Sequence, residues 1–509
     1  MSNSLEGDSM KKTKKYTDLI IYFVVLLLLV LPSFIFKKFG KLDLEQIIFL
    51  FVSDGAGADF TIVFDYFKYA LPRVAIIYFI TILIRWAFRK YGERFVELKW
   101  VQKIANFVKT PKFLSKSLSK GVIVTVLVAL FLNQQFDVAG YLLNSQEVTY
   151  LYEQHYVHPN QVEINFPKEK RNLVYIVLES MNTNFSEIEL EEGTVNLIPN
   201  IQELANENVM VSHHEGFGGF QHLRGLTWTV ASLVGQTSGV PLNVPMKRNR
   251  YGKNGHFLPG ITTLGEILEE NGYSNYFLMG SDGNFGGRET YFRTHGNYEI
   301  YDTKYLKEIG YIPEDYDVFW GMEDLKLFDF AKTKLLEIAE KDEPFNFSML
   351  TVDSHYPEGY VDETCELPYE SAYANAISCS DLKIIEFVEW LQEQDFYENT
   401  TVILTGDHNT MNKEFLELTV EDPKTIYNTF LNLPFTVEED VLVNREFSAL
   451  DMFPTTLVAL GAEIEGDRLG LGSNLFSGKK TLIEKLSIEY IDVEFSKKSQ
   501  YYNKEFFIK

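Results

Sequence analysis

The chain has 509 residues, of which 46% are hydrophobic and 23% are charged, and it contains only two cysteines. This length allows two or three domains and a core that folds without metal or disulfide support, which excludes a small stapled scaffold. The hydrophobic content excludes general disorder, and no repeat with a period of about 20 to 50 residues indicates a solenoid or a propeller.

The formal charge of −24 is divided unevenly along the chain. Residues 1–138 carry 19 basic and 11 acidic side chains, a net +8, whereas residues 139–509 carry 28 and 60, a net −32. Nucleic acids are bound by clustered Lys and Arg that neutralise phosphates. We therefore expect no nucleic acid partner for the acidic part of the chain.

Three apolar runs in the basic part predict transmembrane helices near 19–36, 70–88 and 121–137. The first run, Leu19–Phe36, has 18 residues without a charge and follows four lysines, which is typical of a retained spanning helix. The second is long enough only if Arg73 and Arg85 extend to the two membrane interfaces.

The loops predict the orientation of these spans. The stretch Arg85–Lys120 holds ten Lys or Arg, and the N-terminus is also Lys-rich, so both are expected on the cytoplasmic side. Three spans then leave everything after about residue 137 outside. The segment between the first two spans is interpreted as interfacial or re-entrant on the outer face. A fourth span through Ile47–Val52 would invert the orientation, but this run is too short.

The two cysteines provide an independent indication of compartment. Cys365 and Cys379 are 14 residues apart in the acidic part, which suits one disulfide that closes a local loop in an oxidising compartment. The alternative is a pair of unrelated buried thiols.

The acidic part is predicted to be an α/β domain with a mostly parallel central sheet flanked by helices. From about residue 170, short runs rich in Val, Ile, Phe and Tyr alternate with segments of helical pattern, as in sheets connected by crossover helices. The predicted strands are 172–180, 274–281, 345–355 and 399–408, and the predicted helices are 260–271, 325–341, 380–394 and 448–461.

Polar residues end three of these strands, at the sheet edge where sites assemble in open α/β folds. Glu179, Asp407 and His408 supply oxygen and imidazole ligands that suit a divalent cation. Thr229 follows a Gly-rich turn at the predicted start of a helix, where a cation and the helix N-terminus would activate its hydroxyl. Each feature alone is more often a cap or a structural residue, and only their convergence indicates a site.

These motifs together resemble a known family. The segments YIVLES, LTWTVASLVGQTSGVPL, LTVDSHYPEGYVDETC, AISCSD, VILTGDHN and LDMFPTTLVALG occur in family order over about 300 residues. They are similar to those of the lipoteichoic acid synthase and phosphoglycerol transferase I family, in the sulfatase-like branch of the alkaline phosphatase superfamily.

The resemblance implies roles for individual residues. It implies one divalent metal, usually Mn²⁺ with Mg²⁺ or Zn²⁺ as alternatives, bound by Glu179, the nucleophile Thr229, Asp407 and His408. His355 and Arg288 would bind the substrate, His355 at the phosphate and Arg288 at the head group. Thr227 is a rival nucleophile, but the Trp-Thr pairing favours Thr229.

Other residues are assigned by contrast with neighbouring families. Sulfatases use a formylglycine made within a Cys/Ser-x-Pro-x-Arg motif, and neither cysteine lies in one, so sulfate ester hydrolysis is not expected. His213, His214 and His222 are interpreted as loop or acceptor-site residues rather than metal ligands. His295 is interpreted as a loop histidine, with a place in the substrate cleft as the alternative.

The implied activity is transfer of sn-glycerol 1-phosphate from phosphatidylglycerol to a cell-envelope glycan through a phospho-threonine intermediate. Alternatives are a phosphoethanolamine transferase, a lipoteichoic acid synthase-type polymerase, a hydrolase, or a lipid or glycan receptor without activity. The expected organisation is a membrane domain at 1–143, a linker at 144–170 and the catalytic domain at 171–509. The protein would lie in the bacterial inner membrane with this domain in the periplasm.

Overall fold

The computed structural model describes most of the acidic part and portions of the basic part. The described residues are 23–37, 44–52, 61–91, 138–243, 255–341 and 343–507, together with 126, 129, 130, 133 and 251. They divide into two compact units. The first comes from Met1–Gly40 and Asp59–Gly140, and the second from Lys41–Ala58 and Tyr141–Lys509.

The described part of the first unit includes two long helices. Residues 23–37 are helical, and a 31-residue helix at Thr61–Tyr91 has Pro72 inside it. The Tyr66 hydroxyl donates to the Leu27 carbonyl at 2.6 Å. Among the helices within the described ranges, none combines the length and the apolar character needed to cross a membrane. The predicted span near 121–137 lies mostly outside the described residues, and all three spans stay predictions.

The second unit is built on a six-stranded sheet, whose strands we number in chain order. The spatial order is β6-β5-β1-β4-β2-β3, and only β6 is antiparallel to its neighbour. The strands are β1 Asn172–Leu178, β2 Ser274–Met279, β3 Glu299–Tyr301, β4 Phe345–Leu350, β5 Thr400–Gly406 and β6 Asn428–Leu431. This arrangement confirms the predicted α/β domain with a mostly parallel central sheet.

The register aligns the carboxyl ends of the central strands. Leu178 at the end of β1 pairs with Gly406 at the end of β5, and Leu350 of β4 pairs with Val177. Parallel strands place their carboxyl ends at one edge of a sheet. The polar residues that follow these strands are therefore brought to the same edge.

The two faces of the sheet build two hydrophobic cores. Leu173, Tyr175 and Val177 contribute to one core and Val174, Ile176 and Leu178 to the other, because successive side chains of a strand point to opposite faces. All six are 2% exposed or less. Burial of each such side chain contributes about 1.5 to 3 kcal/mol. Both faces therefore need helices to cover them.

Helices of the second unit cover both faces. One core includes residues of Thr229–Ser238 and Ala449–Ala459, and the other includes residues of Asp324–Ala339 and Ala372–Gln392. The remaining α-helices are Leu44–Val52, Val138–Asn144, Leu151–His155, Pro199–Glu207, Leu264–Glu270, Arg288–Thr294, Thr303–Glu308, Lys413–Leu416, Leu482–Leu486 and Ile488–Phe495.

Five short strand pairs complete the unit. Four are antiparallel and join Phe220–Gln221 to Thr425–Ile426, Ile164–Asn165 to Glu463–Ile464, Ile188–Leu190 to Gly193–Val195, and Arg468–Leu469 to Gly472–Ser473. The parallel pair joins Val148–Thr149 to Lys498–Ser499.

The sequence did not predict two features of the structure. The edge strands β3 and β6 were not predicted, because runs of three and four residues carry little periodic signal. The segment 144–170 contains Tyr152, which is buried against Phe495 of the C-terminal tail. That tail pairs with Val148–Thr149.

A helix from the N-terminal part of the chain also belongs to the second unit. Helix Leu44–Val52 lies within the segment predicted to be interfacial or re-entrant. Its Phe49 is 1% exposed, and its ring centroid lies 5.7 Å from that of Trp228 and 5.6 Å from that of Tyr251. Glu45 forms an ion pair with Arg224. This helix thus packs against the residues that precede Thr229.

Cys365 and Cys379 form a disulfide with a Cα–Cα distance of 5.7 Å. A disulfide that closes a loop of 14 residues stabilises the fold by about 3 kcal/mol, because it lowers the conformational entropy of the unfolded chain.

We expect the Cys365→Ala/Cys379→Ala variant to unfold at a lower urea concentration than the wild type, measured by tryptophan fluorescence. Dithiothreitol should lower the wild-type midpoint and leave that of the variant unchanged. Equal midpoints without reductant would contradict the prediction.

Candidate active site

Three acidic and imidazole side chains meet at the carboxyl edge of the sheet. Glu179 follows β1, and Asp407 and His408 follow β5. All three are buried, with exposed fractions of 3%, 0% and 0%. One potential ligand atom from each residue lies within 4.8 Å of those of the other two. The alignment of β1 and β5 therefore produces a compact group of buried ligands.

The Asp407 carboxylate connects the ends of the two strands. Its Oδ1 accepts the backbone N–H of Ser180 at 2.8 Å and that of His408 at 2.7 Å. Its Oδ2 is buried and has no hydrogen-bond donor. Burial, with the Glu179 charge in addition, raises the pKa of Asp407 to about 7. A buried oxygen without a donor is costly unless a proton or a cation occupies the position beside it.

His408 presents one ring nitrogen to the same position. Its Nδ1 lies 2.8 Å from the carbonyl oxygen of Asn409, and because a carbonyl only accepts, Nδ1 carries the hydrogen. In the neutral ring Nε2 then carries the lone pair, and it lies 3.3 Å from Asp407 Oδ2 and 3.7 Å from Glu179 Oε1. This tautomer is the one found in metal-binding histidines whose other nitrogen donates to a carbonyl.

Thr229 brings a hydroxyl to this group from the start of a helix. It is the first residue of helix Thr229–Ser238, and its Oγ1 lies 3.4 Å from Glu179 Oε2 and 3.3 Å from His408 Nε2. The helix is held in place by Gln236, whose Nε2 donates to the Gly406 carbonyl at 3.0 Å. The Tyr175 hydroxyl donates to Gln236 Oε1 at 2.7 Å. Strands β1 and β5 therefore both position the helix.

The residues present fit a divalent metal ion. Two carboxylates and a neutral imidazole nitrogen are the ligands that Mn²⁺ and Zn²⁺ accept, and the hydroxyl of Thr229 lies beside them. Oδ2 of Asp407, which is buried and has no hydrogen-bond donor, is available to such an ion. The structure thus brings together the four residues that the sequence analysis named as metal ligands.

Arg288 adds a buried positive charge. Its guanidinium donates to Ser281 Oγ at 3.0 Å and to the carbonyls of Asp282 and Phe285 at 2.8 and 3.1 Å. No carboxylate among the described residues forms an ion pair with it, although Arg288 is only 5% exposed; the charges of Asp282, Glu179 and Asp302 act on it from a greater distance. Burial lowers its pKa to about 10. A buried guanidinium without a carboxylate partner favours an anionic ligand.

His355 is a neutral imidazole after β4. Its Nδ1 lies 2.7 Å from the Tyr356 carbonyl, which leaves a lone pair on Nε2. Burial lowers the pKa of His355 to about 4, so the ring is uncharged at pH 7. The ring of Trp320 lies 4.6 Å from that of His355, centroid to centroid. Trp320 is 37% exposed, and sequence reasoning missed it because a lone Trp carries no motif.

A second buried feature that the sequence did not predict is a pair of carboxyl groups. Asp324 accepts the backbone N–H groups of Val352 and Asp353 at 2.8 and 3.0 Å, and Asp353 accepts that of Asp324 at 3.1 Å. Burial raises the pKa of Asp324 to about 7, and burial and the Asp324 charge raise that of Asp353 to about 10. The pair joins the end of β4 to the start of helix Asp324–Ala339.

The remaining residues considered in the sequence analysis lie elsewhere. Both ring nitrogens of His295 have contacts within the protein, at 3.1 Å to Glu266 Oε2 and 2.6 Å to the Phe257 carbonyl, as expected for a loop histidine. Thr227 is half-buried, and the hydroxyl that lies beside Glu179 and His408 is that of Thr229. His213 and His214 lie near Glu421.

Several known proteins are similar to this chain in sequence. Phosphoglycerol transferase I from Escherichia coli is 29% identical over 327 residues, which cover 62% of this chain and 40% of the relative. The Salmonella choleraesuis protein of the same name is 29% identical over 321 residues, with the same coverage. The match thus spans about two fifths of the length of these curated relatives.

Two solved structures are similar to this chain. A lipoteichoic acid synthase from Listeria monocytogenes matches with 19% identity and a TM-score of 0.48, over 62% of this chain and 79% of that one. A lipooligosaccharide phosphoethanolamine transferase from Neisseria meningitidis matches with 14% identity and a TM-score of 0.49, over 88% of this chain and 84% of that one.

The carboxyl pair generates a prediction about pH. A carboxyl group whose pKa is raised by folding stabilises the fold at low pH, and this contribution is lost as pH rises through the folded-state pKa. For Asp324 this contribution to stability is lost between about pH 4 and about pH 7. Asp353→Asn removes one carboxyl and keeps an oxygen that accepts the Asp324 N–H. We expect the variant to lose less thermal stability than the wild type between pH 5 and pH 8.

The measurement is the melting temperature of the detergent-solubilised chain at both pH values. The matched control is Asp315→Asn, which changes an exposed carboxyl in a nearby loop and should retain the wild-type pH dependence. If the melting temperature of Asp353→Asn fell by as much as that of the wild type between the two pH values, the raised pKa of this carboxyl pair would be refuted.

A family model described as Sulfatase matches residues 171–462. These residues include the central sheet, Glu179, Thr229, Asp407 and His408, and they make up more than half of the 509 residues. The chain therefore belongs to the sulfatase family, within which its sequence relatives are phosphoglycerol transferases.

Proposed function

We propose that the protein is a membrane-bound phosphoglycerol transferase that moves sn-glycerol 1-phosphate from phosphatidylglycerol to a cell-envelope glycan through a phospho-threonine intermediate. The observation that carries the proposal is the position of Thr229. Its hydroxyl is at a helix N-terminus, 3.4 Å from Glu179 and 3.3 Å from His408. A nucleophile in hydrogen-bond reach of an activating group is the arrangement required for covalent group transfer.

The identity of the nucleophile separates this activity from sulfate ester hydrolysis. Both cysteines of the chain are joined in a disulfide, so neither is available for conversion to a formylglycine. The hydroxyl beside the candidate metal ligands belongs to a threonine. The names of the relatives, phosphoglycerol transferase I at 29% identity, support a phosphoryl-group transfer.

Glu179, Asp407, His408 and Thr229 would hold the metal ion, for which we propose Mn²⁺, with Mg²⁺ or Zn²⁺ as alternatives. When bound, such an ion lowers the pKa of the threonine hydroxyl and neutralises negative charge on the phosphoryl oxygens. The chain contributes the orientation of these groups. Asn182 accepts the backbone N–H of Thr410 at 2.9 Å, and its Nδ2 donates to Asn409 Oδ1 at 2.6 Å, which fixes the loop after His408.

In the first half-reaction, Thr229 Oγ1 attacks the phosphorus of phosphatidylglycerol. The Oγ1–P bond forms and the bond between phosphorus and the diacylglycerol oxygen breaks. The proton lost by Thr229 goes to solvent, and the departing diacylglycerol oxygen takes up a proton. Arg288 would bind the anionic phosphoglycerol head group, because its buried guanidinium donates to carbonyls and a hydroxyl rather than to a carboxylate among the described residues.

In the second half-reaction, an acceptor hydroxyl attacks the same phosphorus. The Oγ1–P bond breaks and Thr229 regains its proton. Neutral His355 has a free lone pair on Nε2, so it is suited to take the proton of the acceptor hydroxyl and to bind the phosphate once protonated. The exposed face of Trp320 beside it offers a surface on which a sugar ring can pack.

Because the proposed donor is a membrane lipid, we propose that the basic part of the chain anchors the protein in the membrane. We propose a membrane domain at residues 1–143, with spans near 19–36, 70–88 and 121–137, a connecting segment at 144–170 and a periplasmic catalytic domain at 171–509. The excess of basic residues before residue 138 and the acidic remainder support this division, and the disulfide supports an oxidising compartment.

The nucleophile assignment predicts the behaviour of two neighbouring threonines. Thr229→Ala should abolish release of diacylglycerol from labelled phosphatidylglycerol with Mn²⁺, a loss of at least about 10³-fold. Thr227→Ala, two residues away, is the matched control and should retain most of the activity. If Thr227→Ala lost diacylglycerol release and Thr229→Ala retained it, Thr229 would not be the nucleophile. Release from phosphatidylethanolamine alone would indicate a phosphoethanolamine transferase.

The role of Arg288 predicts an effect on the catalytic efficiency. Arg288→Gln should lower kcat/KM for phosphatidylglycerol by about 10²-fold, because an uncompensated anion in a buried site costs about 2 to 5 kcal/mol. Arg293→Gln, on the exposed side of the same helix, should leave kcat/KM within about twofold. A melting temperature within a few degrees of the wild-type value shows that the fold is intact. An unchanged kcat/KM in Arg288→Gln would contradict the role.

A further inference from the structure

A second group of metal-ligating side chains lies outside the Glu179, Asp407 and His408 group. His213 and His214 are in the segment before strand Phe220–Gln221, and Glu421 is in the segment before its partner strand Thr425–Ile426. One ligand atom from each of the three residues lies within 4.8 Å of those of the other two. Two imidazoles and one carboxylate form a set that binds Zn²⁺ in proteins.

His214 and Glu421 face each other within this cluster. His214 Nδ1 lies 2.9 Å from the Glu215 carbonyl oxygen, so Nδ1 donates its hydrogen there. Nε2 lies 2.9 Å from Glu421 Oε1, but this buried nitrogen has no partner with hydrogen-bond geometry. A cation between the imidazole nitrogen and the carboxylate would satisfy both groups.

His213 shows the same deficit. Its Nδ1 is buried and has no hydrogen-bond partner. Its ring stands at 86° to that of His214, with the centroids 4.3 Å apart. Each of the two histidines therefore has a buried ring nitrogen without a hydrogen-bond partner.

The surrounding chain supports the three residues. The backbone of Ser212, next to His213, forms two hydrogen bonds. Its N–H donates to the Leu442 carbonyl at 2.8 Å, and its carbonyl accepts the backbone N–H of Arg445 at 3.0 Å. The Glu421 carbonyl accepts from Asn184 Nδ2 at 3.0 Å. A Cβ at Gly218 would lie 2.4 Å from Ser212 Oγ and 2.6 Å from His213 Nδ1, so only glycine leaves room beside that nitrogen.

We propose that His213, His214 and Glu421 form a second metal site, which binds Zn²⁺ and is separate from the site at Glu179, Asp407 and His408. His214 and Glu421 are 34% and 37% exposed, which leaves a coordination position to water or to an anionic ligand from solvent. The ion would crosslink the segment that leads to Thr229 with the segment that leads to strand Thr425–Ile426. This assignment replaces the interpretation of His213 and His214 as loop or acceptor-site residues.

The test counts bound zinc in the full chain purified in detergent. The protein is stripped with chelator, given Zn²⁺ in small excess and passed through a desalting column, and zinc and protein are then quantified. His214→Gln should hold one equivalent less than the wild type. His256→Gln, which changes an exposed histidine remote in sequence from the cluster, should match the wild type. Co²⁺ in place of Zn²⁺ should show a visible absorption band that His214→Gln lacks.

Two further variants make the result decisive. Glu421→Gln preserves the shape of a partly exposed side chain, so it should fold even if His214→Gln does not, and it should also lose one equivalent. Asp407→Asn should lose the other equivalent, which separates failure of this site from failure of the candidate active site. Wild-type zinc content in a folded His214→Gln or Glu421→Gln protein would overturn the proposal.

Discussion

The carboxylate of Asp407 holds the ends of the neighbouring strands β1 and β5 at one place. Through Oδ1 it binds the backbone N–H of Ser180 after β1 and that of His408 after β5, so the positions of Glu179 and His408 depend on the same group. The second oxygen is thereby left without a donor in a fully buried site. The hydrogen bonds to Oδ1 position Glu179 and His408, and they leave Oδ2 as a buried oxygen that a cation would stabilise.

Buried charge of both signs surrounds the candidate active site. Glu179, Asp407 and Asp324 are acidic and at most 3% exposed, and Arg288 is 5% exposed. Burial of an uncompensated charge costs several kcal/mol. Burial raises the pKa of Asp407 and of Asp324 to about 7, so a proton on each carboxyl group can limit this cost. A site of this kind gains stability from ligands that bring opposite charge, namely a cation at the carboxylates and a phosphate at the guanidinium.

Much of the catalytic unit was predictable because local pattern and topology agree. The runs 172–180 and 399–408 became β1 and β5, and parallel strands must end at one edge. The proximity of Glu179, Asp407 and His408 follows from that rule. The Asp324 and Asp353 pair was not predictable, because it depends on how helix Asp324–Ala339 meets β4. The short edge strands β3 and β6 were missed for want of periodic signal.

The sequence by itself determined the fold class, the order of the main strands and the residues that end them, because hydrophobic periodicity and chain polarity are local properties. It also determined the segregation of charge between residues 1–138 and 139–509. Only the tertiary structure decided which nitrogen and oxygen atoms lack partners. His214 and Glu421 are 207 residues apart in the sequence and 2.9 Å apart in space. Such contacts depend on packing between distant loops, which no local pattern encodes.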